Sequence, residues 1–269
     1  MSSAAKTLEL LSHFSVAQPE LGLSKICRLA KHDKATTYRY LQALEGMGFV
    51  EQNPTTKQYR LGPALLQRAQ IRELTVPREA GCKAALDVLS DTTGETAHVS
   101  VLSGTNLYPL TSSECPRHGI RAVIDVAKFP LHATASGLCT LSFGPASLTD
   151  FAKTDLQRYS PRTITTGDAL DAEIEFVRSN GFGRSNGGLD EGVYSLAAPL
   201  FDQTGQLAGA VAVATVSTRF TPKLEQIIRA ALIEASREIT HNWGGTVPPD
   251  IEANWANSLS SKYELETDT

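Results

Sequence analysis

The sequence predicts an α+β fold organised as two domains joined by a helix. The chain has 269 residues, which exceeds the roughly 100–200 residues of most single domains. Helical periodicity dominates up to about residue 47. From about residue 95, strands come first, helices follow, and two strands with a long helix close the body. That second order is typical of a mostly antiparallel sheet covered by helices.

Charge is distributed unevenly between the two predicted domains. Residues 1–62 contain eight Lys and Arg against five Asp and Glu, whereas residues 63–269 contain 17 against 24. A basic module joined to an acidic body predicts that only the N-terminal part contacts a polyanion.

Two short helices are predicted before residue 48. Ser24 is the expected N-cap of the first, which contains the apolar run "ICRLA". After the break at "HDK", a second helix is expected from about residue 35 to 47. Tyr38, Leu41 and Leu44 are its predicted buried stripe, because they recur at helical spacing. Two short helices with a tight turn between them indicate a helix-turn-helix.

A β-hairpin is predicted directly after the second helix. "FVEQ" and "QYRLG" have the pattern of strands, and "NPTTK" has that of a turn. A helix-turn-helix followed by such a hairpin is a winged helix, which favours DNA binding over the alternative of a merely solvated helix face. The residues predicted to contact DNA are Ser24, Lys34, Thr36, Thr37, Arg39, Tyr40, Lys57 and Arg60.

The segment "PALLQRAQIREL" predicts an amphipathic linker helix with proline at its first position. An apolar stripe between two domains needs a partner surface. Self-association is the economical prediction, since a helix-turn-helix usually binds paired half-sites as a dimer.

The body is predicted to contain helices and strands in a mixed order. A helix over "PREAGCKAALDVLSDTT" is followed by strands over "ETAHVSVLSG", "LYPLTSS" and "IRAVIDV". Helices are expected over "ASGLCTLSF", "ASLTDFAK" and "DALDAEIEFVRSN", then a hairpin about Asp202–Gly205. Thr221 and Pro222 should begin a long final helix. From Gly244 onward, polar and acidic composition predicts a poorly ordered tail.

Several classes of protein are disfavoured. The four cysteines form no C-x-x-C pair and no histidine has zinc-finger spacing, so free thiols are expected, with no metal and no cofactor. The first 15 residues resemble an amphipathic helix, and no segment reaches about 18 uncharged apolar residues. These patterns predict a cytoplasmic protein that does not enter a membrane.

The stretch "PLHATASGL" places a histidine close to two hydroxyl side chains. His132, Thr134 and Ser136 could form a base and nucleophile, but no third orienting group and no G-x-S-x-G elbow is identifiable. The adjacent Asp190 and Glu191 should point to opposite faces of an extended segment. His98 is expected to be an exposed or fully hydrogen-bonded strand residue. The sequence therefore predicts that the protein is not an enzyme.

Three segments in order resemble one known family. "SKICRLAKHDKATTYRYLQALEGMGFVEQNPTTKQYRLGPALL" resembles the winged helix of isocitrate lyase regulator (IclR) family transcription factors. "FPLHATASGLCTLSF" and "EGVYSLAAPLFDQTGQLAGAVAVA" are similar to two segments of that family's effector-binding domain. The resemblance covers about residues 5–243. It implies a bacterial regulator, a GAF-like C-terminal domain, a dimer or dimer of dimers, and a small organic or aromatic acid as effector.

The resemblance also implies where the effector binds. Backbone amides of Ala135 to Gly137, which should open a helix, would receive a carboxylate. The sequence departs from the family's best-known small-acid pocket at three positions. Ala212 and Ala214 replace expected hydroxyl side chains, and Ser185 replaces an expected acidic residue. This pocket should therefore be roomier and less polar than that one. The predicted effector-binding residues are His132, Thr134, Ala135, Ser136, Gly137, Ser185, Val193, Ser195, Ala212 and Ala214.

The sequence thus predicts a DNA-binding transcriptional repressor controlled by a carboxylic acid. The expected target is a pseudo-palindromic operator in double-stranded DNA, bound by a homodimer or tetramer. An activator of the same family is the first alternative, and a sensor or enzyme without DNA binding is the second. The predicted parts are the winged helix-turn-helix 1–62, the linker helix 63–76, the effector-binding domain 77–243 and the tail 244–269.

Overall fold

The structure, a computed structural model, describes residues 2–260 of the chain. The chain divides between Pro77 and Arg78 into two compact units. The helices and strands of the N-terminal unit are α1 Ser3–Glu9, a short 3-10 helix Leu10–His13, α2 Leu23–Ala30, α3 Lys34–Gly46, β1 Val50–Gln52, β2 Tyr59–Leu61 and α4 Ala64–Thr75.

The turn between α2 and α3 is set by two residues. Lys31 has a left-handed backbone (φ 54°), which ends α2. Asp33 caps α3, because its carboxylate accepts a hydrogen bond of 2.9 Å from the amide of Thr36. These hydrogen bonds to Thr36 lower the pKa of Asp33. The predicted cap of α2 was wrong: Gly22 is the N-cap and Ser24 lies inside the helix, whose start is fixed by a β-bridge between Leu21 and Tyr59.

The buried face of α3 differs from the predicted stripe at its first residue. Tyr38 is 49% exposed, whereas Thr37, Tyr40, Leu41 and Leu44 are buried. The true stripe recurs at i, i+3, i+4 and i+7, which is the spacing of one helix face. These side chains pack on a core that also contains Leu10, Ile26, Val50 and Tyr59.

The predicted wing is present as a short antiparallel hairpin. Val50 pairs with Leu61 and Gln52 with Tyr59. The side chain of Asn53 accepts hydrogen bonds from the amides of Thr55 and Thr56, at 2.9 and 3.1 Å, and so shapes the turn.

The C-terminal unit contains one sheet with helices on both faces. Its strands lie in the order β4-β3-β7-β6-β5, and every neighbouring pair is antiparallel. The elements are α5 Arg78–Thr93, β3 Thr96–Ser103, β4 Asn106–Ser113, α6 Ala135–Phe143, α7 Ala146–Lys153, α8 Gly167–Asn180, β5 Gly183–Asn186, β6 Val193–Phe201, β7 Leu207–Val216, α9 Pro222–Asn242 and α10 Pro249–Ser260.

Small residues bring α6 close to the sheet. Ala135 and Cys139 of α6 pack on Ala197, Ala210 and Ala212 of the strands. A side chain at Gly183 would collide with the carbonyl of Ala135, so glycine is required there. This close packing fixes the position of the first turn of α6.

The third predicted strand, over residues 120–126, was wrong, because this segment has no regular structure. The strand β3 is already paired on both edges, by β4 and β7. Side chains hold the segment instead: the hydroxyl of Thr96 donates to the carbonyl of Ala122 at 2.7 Å, and Arg219 donates to that of Ile120 at 2.9 Å.

The predicted disorder of the tail was also wrong over residues 249–260, where α10 forms. Ile251 and Trp255 are buried in the main core, and the indole N–H of Trp255 donates to the carbonyl of Gly181 at 2.7 Å. Ile251, Trp255 and Leu259 recur at helical spacing, a signal that the polar composition obscured. The rest of the predicted tail, 261–269, lies outside the described residues.

None of the helices within residues 2–260 has the length and apolar character that a membrane crossing requires. The cysteines are free thiols, as predicted, and Cys27 is the one that is partly exposed.

Candidate functional site

The first turn of α6 presents two unpaired amides. The hydroxyl of Thr134 caps the helix by accepting a hydrogen bond of 3.1 Å from the amide of Gly137. The amide of Leu138 bonds to the carbonyl of Thr134 at 2.9 Å. Within residues 2–260, the amides of Ala135 and Ser136 have no hydrogen-bond acceptor. Free N–H groups and the helix dipole make such a terminus favourable for an anion.

A cavity of about 630 Å³ adjoins this helix start. It lies between α6, the strands β3, β6 and β7, and the loops on either side of them. Its lining residues are His98, Ala122, Val123, Ile124, Asp125, Val126, Phe129, Ala133, Thr134, Ala135, Ser136, Tyr159, Ser160, Ser185, Gly188, Leu189, Asp190, Glu191, Val193, Ser195 and Ala214. Most are apolar or small, which is usual for a small-molecule site.

His98 lies in the cavity wall and is only 4% exposed. Its ring stacks on Phe129 with 5.1 Å between centroids, and its Nε2 atom lies 3.3 Å from the hydroxyl of Ser136. Burial lowers the pKa of His98 to about 4. The imidazole is therefore neutral at physiological pH. The expectation of an exposed or fully hydrogen-bonded histidine was wrong.

The unpaired nitrogen of His98 indicates its tautomer. The Nδ1 atom is buried and has no partner among residues 2–260. A buried lone pair is tolerated more readily than a buried N–H, because unpaired carbonyl-type acceptors are commoner than unpaired donors. We therefore assign the proton to Nε2, which donates to Ser136. The hydroxyl proton of Ser136 is then free to donate into the cavity.

His98 and Ser136 do not form a catalytic triad. A serine nucleophile needs a base that a third group orients through its other nitrogen. No such group contacts Nδ1 of His98 in the described part of the chain. The pair is suited to holding a ligand rather than to acyl transfer.

Two loops beside the cavity are tied together by hydrogen bonds. Ser160 donates to the carbonyl of Gly187, and Thr163 donates to that of Gly188, both at 2.6 Å. The hydroxyl of Ser185 donates to the carbonyl of Ala133 at 3.0 Å, which attaches β5 to the segment before α6. The loop 187–192, which joins β5 to β6 and contains three glycines, is therefore anchored against the cavity.

Seven of the ten predicted effector-binding residues line the cavity, and three do not. His132 has its Nε2 atom 2.9 Å from the carbonyl of Gln157, and lines a neighbouring cavity of about 320 Å³. The amide of Gly137 is used by the cap. Ala212 is buried between the sheet and α6. The seven are Thr134, Ala135, Ser136, Ser185, Val193, Ser195 and Ala214.

Sequence reasoning missed part of the lining. His98 could have been found, because Thr96, His98 and Ser100 alternate along β3 toward the same side of the sheet. The loop residues Tyr159 and Ser160 gave no local signal, since only the tertiary fold brings them to α6.

The exposed side of the N-terminal unit is basic. Six cations there have no ion-pair partner within residues 2–260: Lys25, Arg28, Lys31, Lys34, Arg39 and Lys57. Arg60 differs, because it pairs with Glu51 and lies 3.7 Å from Glu20. Unpaired cations on and beside α3 and the wing suit contact with phosphates.

Two predicted DNA-contacting residues are buried in the N-terminal unit. Thr37 is buried, and its hydroxyl donates to the carbonyl of Asp33 at 2.9 Å. Tyr40 is buried in the core and contacts His32 edge-on. Ser24, Lys34, Arg39 and Lys57 are exposed, and Thr36 is partly so.

A winged helix with an unpaired basic surface, joined to a domain with a ligand-sized cavity, defines a class of DNA-binding proteins. Comparison with known families agrees. Residues 67–241 match the family model described as "Bacterial transcriptional regulator IclR C-terminal". Residues 3–54 match the model described as "IclR helix-turn-helix domain". The chain therefore belongs to the IclR family of DNA-binding transcriptional regulators, which are not enzymes. The predicted family and fold class are confirmed.

Individual relatives show how far the similarity extends. The glycerol operon regulatory protein of Streptomyces griseus is 30% identical over 223 residues, covering 82% of this chain and 86% of that protein. An IclR transcriptional regulator from a Silicibacter species has a solved structure with a TM-score of 0.85 and 37% identity, covering 93% and 99% of the two chains.

A second solved structure contains a small molecule. An IclR homologue from Microbacterium hydrocarbonoxydans, complexed with 4-hydroxybenzoate, has a TM-score of 0.71 and 20% identity, covering 89% of this chain and 100% of that one. At this identity the likeness shows the shared fold.

Proposed function

We propose that the protein is a repressor whose operator binding is controlled by a small organic or aromatic carboxylic acid. The single observation that carries the effector proposal is the pair of unpaired amides, of Ala135 and Ser136, at the edge of a large cavity. A carboxylate placed there accepts two charge-assisted hydrogen bonds and faces the positive end of α6.

The rest of the cavity favours a partly apolar acid. A volume of about 630 Å³ exceeds the needs of a two- or three-carbon acid. Phe129, Val126, Val193 and Ala214 offer apolar surface to a ring or chain. The complex of the Microbacterium homologue makes 4-hydroxybenzoate a reasonable first probe.

DNA binding is proposed to use α3 and the wing. The start of α3 carries Lys34 and Thr36, followed by Arg39, and the wing carries Lys57. In a helix-turn-helix the first residues of the second helix contact base edges, and flanking cations contact phosphates.

The operator is expected to be pseudo-palindromic, because the protein is proposed to act as a dimer or a dimer of dimers. In α4, Leu66 is 70% and Leu74 is 85% exposed. Apolar side chains exposed along one helix indicate an association surface. We further propose that the protein acts in the cytoplasm, where a bacterial regulator meets its operator.

The effector acts by favouring one arrangement of the DNA-binding units over another. A ligand shifts such an equilibrium only by its difference in affinity for the two states. An activator is the second candidate, because the same DNA-binding surface and effector cavity would serve either sign of regulation.

A gel shift tests this proposal. The full chain is mixed with DNA from upstream of its own gene, with and without 4-hydroxybenzoate, at several salt concentrations. We expect the protein to form a complex with the DNA that becomes weaker as the salt concentration rises. Addition of 4-hydroxybenzoate should dissociate this complex. A complex that the acid strengthens would favour the activator, and no complex at any salt concentration would contradict the proposed function.

A further inference from the structure

We propose that the cavity selects monocarboxylic acids and rejects dicarboxylic acids. The far end of the ligand, meaning the end opposite the bound carboxylate, should be uncharged or cationic. This inference rests on the proposed function, because it concerns the chemistry of the acid that the cavity receives.

The groups that would receive a carboxylate are all uncharged. They are the amides of Ala135 and Ser136 and the hydroxyl of Ser136, with the dipole of α6 behind them. That dipole is equivalent to roughly half an elementary charge. Among the described residues, the cavity lining contains no Lys and no Arg. These donors suit one anionic group, and none of the described lining residues carries a positive charge that would neutralise a second.

His98 gives an independent indication that a molecule belongs in this cavity. It lines the wall, is 4% exposed, and its Nδ1 atom has no partner among the described residues. Buried polar atoms are nearly always paired, so an unpaired one calls for a ligand or water as its partner. Because the imidazole is neutral, it adds no positive charge that could hold a second carboxylate.

The remaining charged residues of the lining are acids. Asp125, Asp190 and Glu191 line the cavity and are exposed to solvent. Asp190 accepts a hydrogen bond of 3.1 Å from the amide of Gly192. Within residues 2–260, none of the three carboxylates forms an ion pair.

These acids set the preference for the far end of the ligand. Two like charges about 4 Å apart in water repel enough to weaken binding by on the order of fivefold. A ligand whose second carboxylate lies near several acids loses more affinity than this, whereas a ligand with an ammonium group there gains affinity. Salt screens such interactions between exposed charges, so the discrimination should shrink at high salt.

Isothermal titration calorimetry on the full chain tests this inference with three matched probes. The probes are 4-(aminomethyl)benzoate, 4-hydroxybenzoate and terephthalate, which share a ring and a carboxylate and differ in the charge of the para group. We expect terephthalate to bind about tenfold or more weakly than 4-hydroxybenzoate at low salt. The aminomethyl compound should bind at least as tightly as 4-hydroxybenzoate, and high salt should narrow the differences.

Neutralising the acidic side chains of the cavity should weaken its discrimination against dicarboxylic acids. The double variant Asp190→Asn with Glu191→Gln should bind terephthalate about fivefold or more tightly than the wild type. The matched control, Asp150→Asn with Glu238→Gln, removes two exposed acids that do not line the cavity. It should leave the affinity for terephthalate unchanged.

The outcomes separate the two proposals. Terephthalate binding as tightly as 4-hydroxybenzoate, or an equal gain in both double variants, would overturn the selection of monocarboxylic acids and leave the effector site standing. Binding of none of the three probes would overturn both.

Discussion

The Nε2 atom of His98 lies 3.3 Å from the hydroxyl oxygen of Ser136, at the point where β3 meets the first turn of α6. The strand supplies a buried neutral base, and the helix supplies a hydroxyl and two free amides. The pair therefore joins the sheet to the proposed carboxylate site. With the His98 proton on Nε2, this contact leaves the hydroxyl proton of Ser136 available to a carboxylate in the cavity.

We expect Ser136→Glu to abolish the response to 4-hydroxybenzoate. The side chain of Ser136 is buried at the helix start, so a carboxylate introduced there occupies the donors and repels the ligand. Loss of the ligand-induced rise in melting temperature measures the effect. The matched control is Ser147→Glu on α7, which is exposed and remote from the cavity. A normal response from the Ser136 variant would place the site elsewhere.

Arg39→Ala should weaken operator binding while leaving the affinity for 4-hydroxybenzoate nearly intact. Arg39 is exposed on α3 and has no ion-pair partner in the described part of the chain. Loss of a specific contact between an arginine and a base costs about 1–3 kcal/mol. Gel shifts and calorimetry measure the two affinities separately. Lys223→Ala, an exposed cation on α9, is the control. Equal loss of both affinities would contradict separate sites.

Stability should fall as the pH falls from about 6.5 to about 4, because of His98. Its pKa is lowered from 6.5 to about 4 in the folded protein. Between these values the unfolded chain binds a proton that the folded protein does not, so protonation favours unfolding. The stabilisation is complete above pH 6.5 and is lost toward pH 4.

The variant His98→Gln isolates this effect from other titrating groups. For each protein, the quantity compared is the loss in free energy of unfolding between pH 7 and pH 5. This loss should be ~2 kcal/mol larger for the wild type than for the variant, at about 1.4 kcal/mol per pH unit. Urea unfolding at both pH values measures the difference. Identical pH dependence in the two proteins would show that His98 titrates normally.

Trp255→Ala should destabilise the C-terminal unit by about 3–5 kcal/mol, because it removes a buried aromatic side chain. It also removes the hydrogen bond to the carbonyl of Gly181. Urea unfolding measures the loss, and Asn257→Ala, an exposed residue of the same helix, is the control. Equal stability of both variants would mean that α10 does not dock.

Sequence patterns were sufficient where a regular apolar pattern is bounded by clear turn or cap residues. They located α2 and α3, the wing, and the hairpin of β6 and β7. They failed for residues 120–126, whose alternation resembles a strand although no pairing edge of β3 is free. They also failed for α10, because three apolar residues in a polar segment dock only once the core exists.

The candidate site was predictable in part. The helix start at Ala135 and the small residues around it follow from the sequence and its resemblance. The pairing of His98 with Ser136 spans 38 positions along the chain, and the acids at the cavity come from separate loops. Such contacts are set by tertiary packing rather than by local pattern.

The proposed control by an effector depends on a carboxylate binding the free amides at the start of α6. The most direct measurement is a titration of the ¹⁵N-labelled protein with 4-hydroxybenzoate, followed through backbone amide resonances. The amide resonances of Ala135 and Ser136 should shift most and downfield, as expected for new hydrogen bonds to an anion, and phenol should produce no such shift. Unmoved resonances at these two residues, with the largest changes elsewhere, would contradict this mode of binding.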